Sequence, residues 1–268
     1  MEFKRQSRLR GHSINRLIPN MLTLLALCAG MTAMRFALEG AWDRAAIAIV
    51  VAAVLDGLDG RIARVLGAAS RFGAELDSLS DFISFGVAPA FIVYLWSLQS
   101  AGGFGWALAL LFGVCCGLRL ARFNTASLSE GVVPAWSKNF FVGVPAPVAG
   151  LLALLPIYLG LETESDAFSH AGLNGLVLLA VSGLMVSRIP TLALKQVRIA
   201  PRYVVVVLLG VGAFAAFLIS TPWITLSVGA VTYLVSIPYA AHLYKKYQRE
   251  SPFPVPPAGE DEEENGQG

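Results

Sequence analysis

The sequence predicts an all-α, polytopic membrane bundle of about eight transmembrane helices, on three observations. Of 268 residues, 56% are hydrophobic and 14% charged, with a mean hydropathy of +0.64, whereas soluble domains carry roughly 25% charged residues. Apolar runs of the ~20 residues needed to cross a bilayer recur along the chain. Lys and Arg are also divided very unequally between the two sides that such spans would define.

In order, residues 1–17, MEFKRQSRLRGHSINRL, form a basic arm with interspersed apolar residues. Such an arm suits either a helix on an anionic leaflet or a bare topology signal. It runs into apolar sequence without a small-residue cleavage site, so it is not read as a cleavable leader. The spans follow at 18–37, 44–66, 78–99, 104–123, 142–160, 172–190, 202–220 and 222–243, the last two parted only by the turn at Ser220-Thr221-Pro222. Residues 18–247 thus make one transmembrane domain. Residues 248–268, proline-rich and then acidic, cannot bury a core and are expected to be disordered.

With the N-terminus cytoplasmic, eighteen of the twenty Lys and Arg fall on the cytoplasmic side, and only Arg35 and Arg44 lie opposite. The loop ETESD at 162–166 is acidic, as an outward loop can be. The expectation is a multi-pass protein of a bacterial inner membrane with both termini inside, surrounded by lipid and without a nucleic-acid partner. Cys28, Cys115 and Cys116 all sit in apolar runs and read as packing residues rather than ligands.

The second span ends in DGLDGRIAR. On a helix Asp56, Asp59, Gly60, Ala63 and Arg64 share one face. The third span begins at GAELDSLSD, where Gly73, Asp77 and Asp81 also share a face. A short basic link joins the two spans, so four aspartates meet near the cytoplasmic interface. One Asp at mid-membrane costs about 2.5–3.5 kcal/mol, and four would approach ~10 kcal/mol, comparable with the stability of a whole domain. A buried ionic network alone rarely offsets such a cost. The cluster therefore calls for a water-filled cavity and a neutralising cation. Oxygen ligands without His or Cys suit a hard divalent ion: Mg²⁺, Mn²⁺ or Ca²⁺. Gly60, Ala63 and Gly73 remove bulk from the same faces, and Arg64 offers a fork to a phosphate. Together they describe a site for a phosphate-bearing molecule. Arg61, Arg71 and Glu75 read as solvated charges.

The spacing D-x2-D-G-x2-A-R-x8-G-x3-D-x3-D, met without a gap by Asp56, Asp59, Gly60, Ala63, Arg64, Gly73, Asp77 and Asp81, resembles that of the CDP-alcohol phosphotransferases. IPNMLT, with Pro19, Asn20 and Thr23, resembles the start of that family's first helix. The resemblance implies a six-helix core within the eight spans. It implies that Asp56, Asp59 and Asp77 bind divalent metal holding a CDP diphosphate, and that Gly60, Ala63, Arg64 and Gly73 frame the CDP-lipid. Asp81 is implied as general base for the incoming alcohol, with a possible share in the metal site, and CMP as the leaving group.

The motif does not choose the acceptor. RLARFN at 119–124, NFFVGVPAPVAG at 139–150 and LMVSRIPTLALK at 184–195 resemble the phosphatidylserine synthase branch of that family, with Val144 where Leu is usual. That branch implies CDP-diacylglycerol and L-serine as substrates, and the family implies a homodimer. Arg119, Arg122, Asn124 and Lys138 lie at the cytoplasmic end and are candidates for gripping serine or a lipid phosphate; each is equally readable as a topology charge or packing group. Pro145 and Pro147 read as shaping the start of a helix. Two other classes stay open: a sibling enzyme using glycerol phosphate or inositol phosphate, and an ion-coupled transporter. Against the latter, no inverted repeat is evident, and the carboxylates gather at one end rather than at mid-membrane.

Overall fold

A computed structural model describes residues 14–68, 70–128, 140–192 and 204–250. The basic arm up to residue 13, Lys138 and the tail beyond residue 250 lie outside the described residues. The helices are α1 (Ile14–Leu38), α2 (Trp42–Val65), α3 (Arg71–Asp81), α4 (Ala88–Trp96), α5 (Gly102–Leu128), α6 (Ala146–Ala153), α7 (Leu155–Thr163), α8 (Ala171–Val186), α9 (Val204–Ser220) and α10 (Pro222–Glu250). A π-helical stretch, Phe82–Val87, joins α3 to α4 without a break.

A helical stretch stands at each of the predicted spans, and the protein is an integral membrane protein. Leu17–Leu38, Arg71–Trp96, Leu98–Thr125, Ala146–Thr163 and Pro222–Gln248 are long and apolar enough to cross a bilayer, while Ala171–Val186 and Val205–Ser220 are shorter apolar helices. Helix α2 has the length, but Asp43, Arg44, Asp56, Asp59, Arg61 and Arg64 make its two ends polar. Side chains along α9 are nearly all exposed, and it packs along α10, which leaves its apolar faces to lipid.

The α1–α2 hairpin is built from small residues. Ala33 and Ala37 on α1, and Ala45, Ala46 and Ala52 on α2, are buried with Ile49 between them. Small side chains let two backbones approach closely where no hydrophobic drive separates helix from lipid. The hairpin's second helix ends in a Schellman turn. Ala68 N–H donates to the Ala63 carbonyl at 2.9 Å and Gly67 N–H to that of Arg64 at 3.3 Å, with Gly67 at φ +58°, a conformation that costs glycine little. Ser70 then caps α3, accepting from Gly73 N–H at 3.0 Å. These two local signals start the third span at Arg71, well before residue 78 as expected from hydropathy, because a polar first turn hides a helix from a hydropathy reading.

The π-helical stretch is packed tightly against α1. A Cβ on Gly30 would stand 2.5 Å from Ser84 Oγ and 2.7 Å from its Cα, so α1 crosses it nearly backbone to backbone. Ser80 and Ser84 donate across this contact to the carbonyls of Thr23 (3.1 Å) and Ala26 (3.2 Å). Behind it, Phe85, Phe112, Leu152, Ile157, Tyr158, Leu178 and Met185 form the fully buried centre.

Two predicted span ends are corrected. Phe140–Val142 is a strand, β1, paired antiparallel with β2, Pro190–Leu192. The fifth span therefore starts at Ala146, after Pro145, and the sixth ends at Val186. Apolar β-branched and aromatic residues read alike in a short strand and a helix end, and only the pairing separates them. This two-stranded ladder of three residue pairs is the one sheet among the described residues of an otherwise helical chain.

Candidate active site

Three carboxylates converge where the end of α2 meets α3. One oxygen each from Asp56, Asp59 and Asp77 lies within 4.8 Å of the others. Helical spacing puts Asp56 and Asp59 one turn apart on α2, and the Gly67 turn with the Ser70 cap brings Asp77 of α3 against them. Oxygens on opposite sides of a calcium-sized ion, at 2.3–2.6 Å each, are about 5 Å apart, and smaller octahedral ions need about 4 Å. The trio thus fits a hard divalent cation in both spacing and donor type. Asp81, one turn beyond Asp77, is not within that trio. It is half-buried, its Oδ1 is enclosed without a hydrogen-bond partner, and Asp56, Asp77 and Arg119 are its charged neighbours.

Helix α1 orients the trio. Thr23 Oγ1 donates to Asp59 Oδ2 at 2.6 Å and sits 3.1 Å from the Pro19 carbonyl. Asp59 is buried at 4% exposure, so that hydroxyl fixes which carboxylate oxygen is left to face the trio. Outer partners of metal-ligating carboxylates are typically worth 10–100-fold in affinity. Thr23→Val is therefore expected to raise the divalent-ion concentration needed for half-maximal activity by about that factor, which a metal titration of the variant measures.

Beside the trio lies an open groove of about 200 Å³ lined by Pro19, Asn20, Thr23, Asp59, Gly60, Ala63, Arg64, Ala68, Ser70, Gly73, Ala74 and Asp77. All four residues expected to frame a CDP-lipid, Gly60, Ala63, Arg64 and Gly73, are on its wall. Gly60 faces open space, whereas a Cβ on Gly73 would come within 3.0 Å of Asn20 Oδ1. Gly73 therefore serves the approach of α3 to α1 as well as the groove. Arg64 is exposed, and the N-terminus of α3 opens on the same groove, adding the favourable end of a helix dipole for an anion. Carboxylates, a guanidinium and a helix N-terminus around one cleft can hold a metal and a diphosphate together.

The structure separates the residues expected to grip an acceptor. Arg119 is buried at 8% exposure, close to Asp81. Arg122, one turn on, is taken up by backbone: it donates to the carbonyls of Val186 (2.9 Å), Ser187 (3.2 Å), Met185 (3.4 Å) and Val142 (3.4 Å). There it caps the C-terminus of α8, where a cation is favoured, and ties in β1. Asn124 Nδ2 donates to Ser78 Oγ at 2.9 Å, bracing α5 against α3 beside Asp77. Lys138 lies outside the described residues. Sequence reasoning passed over Asn20 and Ser70 as groove residues and Tyr233 of α10 as a neighbour of Arg119. Ser70 was findable as a helix cap; Tyr233, more than a hundred residues away, was not.

A family described as CDP-alcohol phosphatidyltransferase matches residues 16–186, and one described as CDP-alcohol phosphatidyltransferase 2 matches residues 202–238. The chain is 41% identical over 227 residues to the CDP-diacylglycerol–serine O-phosphatidyltransferase of Mycobacterium leprae, covering 85% of this chain and 75% of that one. It is 35% identical over 224 residues to the enzyme of the same name from Helicobacter pylori, covering 82% and 88%. It is also 35% identical over 178 residues to the archaetidylserine synthase of Methanothermobacter thermautotrophicus, covering 64% and 68%.

Proposed function

The chain belongs to the CDP-alcohol phosphatidyltransferase family, and from that premise we propose that it transfers the phosphatidyl group of CDP-diacylglycerol to the hydroxyl of L-serine, giving phosphatidylserine and CMP. The observation that carries the reading is the meeting of Asp56, Asp59 and Asp77 beside a groove walled by Gly60, Ala63 and Arg64. The serine acceptor is supported by the names of relatives similar over most of the chain.

A hard divalent cation, Mg²⁺ or Mn²⁺ above all, held by Asp56, Asp59 and Asp77, would neutralise the diphosphate and stabilise CMP as it leaves. The remaining work falls to the chain. Arg64 and the α3 N-terminus bind and orient the diphosphate in the groove. Asp81 takes the proton of the serine hydroxyl as its oxygen attacks the phosphorus. Its position outside the 4.8 Å trio supports the role of base over that of ligand. The described basic residues Arg61, Arg64, Arg71, Arg119 and Arg122 share an end of the helices with the aspartates, which supports a cytoplasmic site.

The test is an assay on the purified protein in lipid nanodiscs with CDP-diacylglycerol, offering serine, glycerol phosphate and inositol phosphate separately. CMP release is expected with serine; release with a phosphorylated acceptor alone would replace serine as the substrate, and no release with any would overturn the reading.

A further inference from the structure

We infer that Arg119 and Tyr233 form the carboxylate-binding end of an acceptor pocket whose other end is Asp81, so that α10 contributes to substrate choice. The inference deepens the function proposed above and rests on it.

Buried polar atoms almost always find partners. Of the seven enclosed without a hydrogen-bond partner among the described residues, three on three different helices are Asp81 Oδ1 on α3, Arg119 Nε on α5 and the Tyr233 hydroxyl on α10. They are also neighbours, since Arg119 has both Asp81 and Tyr233 in electrostatic reach. Yet Arg119 and Asp81 do not close on each other: among the described residues no ion pair within 4.0 Å joins them. A buried guanidinium and a half-buried carboxylate held apart, each incompletely matched, is costly for a structural pair. It is the arrangement expected of groups that face a ligand between them.

The surroundings fix what each group has left to offer. Arg119 is steadied by the Phe123 ring, with Cζ 6.0 Å from the centroid. The Tyr233 hydroxyl lies beside Thr191 without reaching hydrogen-bond geometry, and the Thr191 hydroxyl donates instead to the Gly143 carbonyl at 3.0 Å. Arg122, the other guanidinium of the RLARFN stretch, is occupied by the end of α8. One guanidinium and one phenol hydroxyl are therefore left for a small anion, and the Asp81 carboxylate for a hydroxyl to be deprotonated. A molecule with a carboxylate at one end and a hydroxyl at the other, such as a β-hydroxy amino acid, meets both. A phosphate dianion calls for a denser set of cations.

Tyr233→Phe removes a single oxygen, and Arg119→Gln removes the charge. Both are made in the full chain in nanodiscs, varying serine and CDP-diacylglycerol separately. A hydrogen bond to a charged group corresponds to roughly a 10- to 100-fold change in affinity. Tyr233→Phe is expected to raise the KM for serine about 10-fold and Arg119→Gln about 100-fold, with the KM for CDP-diacylglycerol within about two-fold of wild type. Thermal stabilisation by CDP-diacylglycerol, retained in Tyr233→Phe, verifies that variant's fold should Arg119→Gln fail to assemble. An unchanged serine KM in Tyr233→Phe, or a rise in the CDP-diacylglycerol KM of the same size, overturns the inference. Failure of the wild-type protein to release CMP with serine would instead overturn the function on which it rests.

Discussion

Asp81→Asn is expected to lower serine-dependent CMP release by about 10²- to 10⁴-fold, the usual contribution of a positioned general base, while CDP-diacylglycerol still binds. The amide keeps the size of the carboxylate but cannot accept the hydroxyl proton. The trio of Asp56, Asp59 and Asp77, proposed above to hold the metal, and the groove wall at Arg64 keep their side chains. Folding gives an independent check. Asp81 stands beside the like charges of Asp56 and Asp77, so neutralising it relieves repulsion, and the melting temperature should hold or rise. Steady-state CMP release with equilibrium binding of the CDP-lipid measures both. A variant with full turnover would remove Asp81 from the chemistry, and one that no longer bound CDP-diacylglycerol would make it a ligand-holding residue instead.

Asp59→Ala is expected to be as damaging by a different route. Charge stabilisation by a bound metal is worth several kcal/mol, and about 1.4 kcal/mol is tenfold in rate, so losing one of three ligands should cost about 10³-fold or more. Thr23 would then keep only the Pro19 carbonyl of its own helix as acceptor, and the tie from α1 to α2 at the groove is lost as well. The signature separating this variant from Asp81→Asn is its response to metal. Raising Mg²⁺ or Mn²⁺ should recover part of the activity of Asp59→Ala and none of that of Asp81→Asn, and a chelator should reduce the wild type to the level of the ligand variant. Metal-independent turnover in the wild type would sink the assignment of the trio.

Much of this site was readable from spacing alone, because its residues lie on two adjacent helices whose faces are fixed by a 3.6-residue period. Asp56, Asp59, Gly60, Ala63 and Arg64 needed no tertiary information to be grouped, and Gly73, Asp77 and Asp81 needed only a short link. The acceptor side was different. Arg119 and Arg122 are indistinguishable as sequence, one turn apart on α5. Their fates diverge only because α8 ends at Val186, with its carbonyls set against Arg122. The β1–β2 ladder was invisible for the same reason: neither Phe140–Val142 nor Pro190–Leu192 carries a strand signal that a helix end lacks. Tyr233 sits in an apolar span with nothing local to mark it.

The π-helical run at Phe82–Val87 sets a constraint of another kind. Each residue of an α-helix advances the azimuth by about 100°, and a π turn holds back that advance. The rod from Arg71 to Trp96 is therefore two rods in different phase: the first aims carboxylates at α2, the second aims Phe85 and its successors at α6 and α5. Removing one residue between Phe82 and Val87 would leave every motif spacing from Asp56 to Asp81 intact, yet swing α4 by roughly a quarter-turn or more against its neighbours. The number of residues after the last aspartate is thus as much a part of the reading frame of this enzyme as the number between the aspartates.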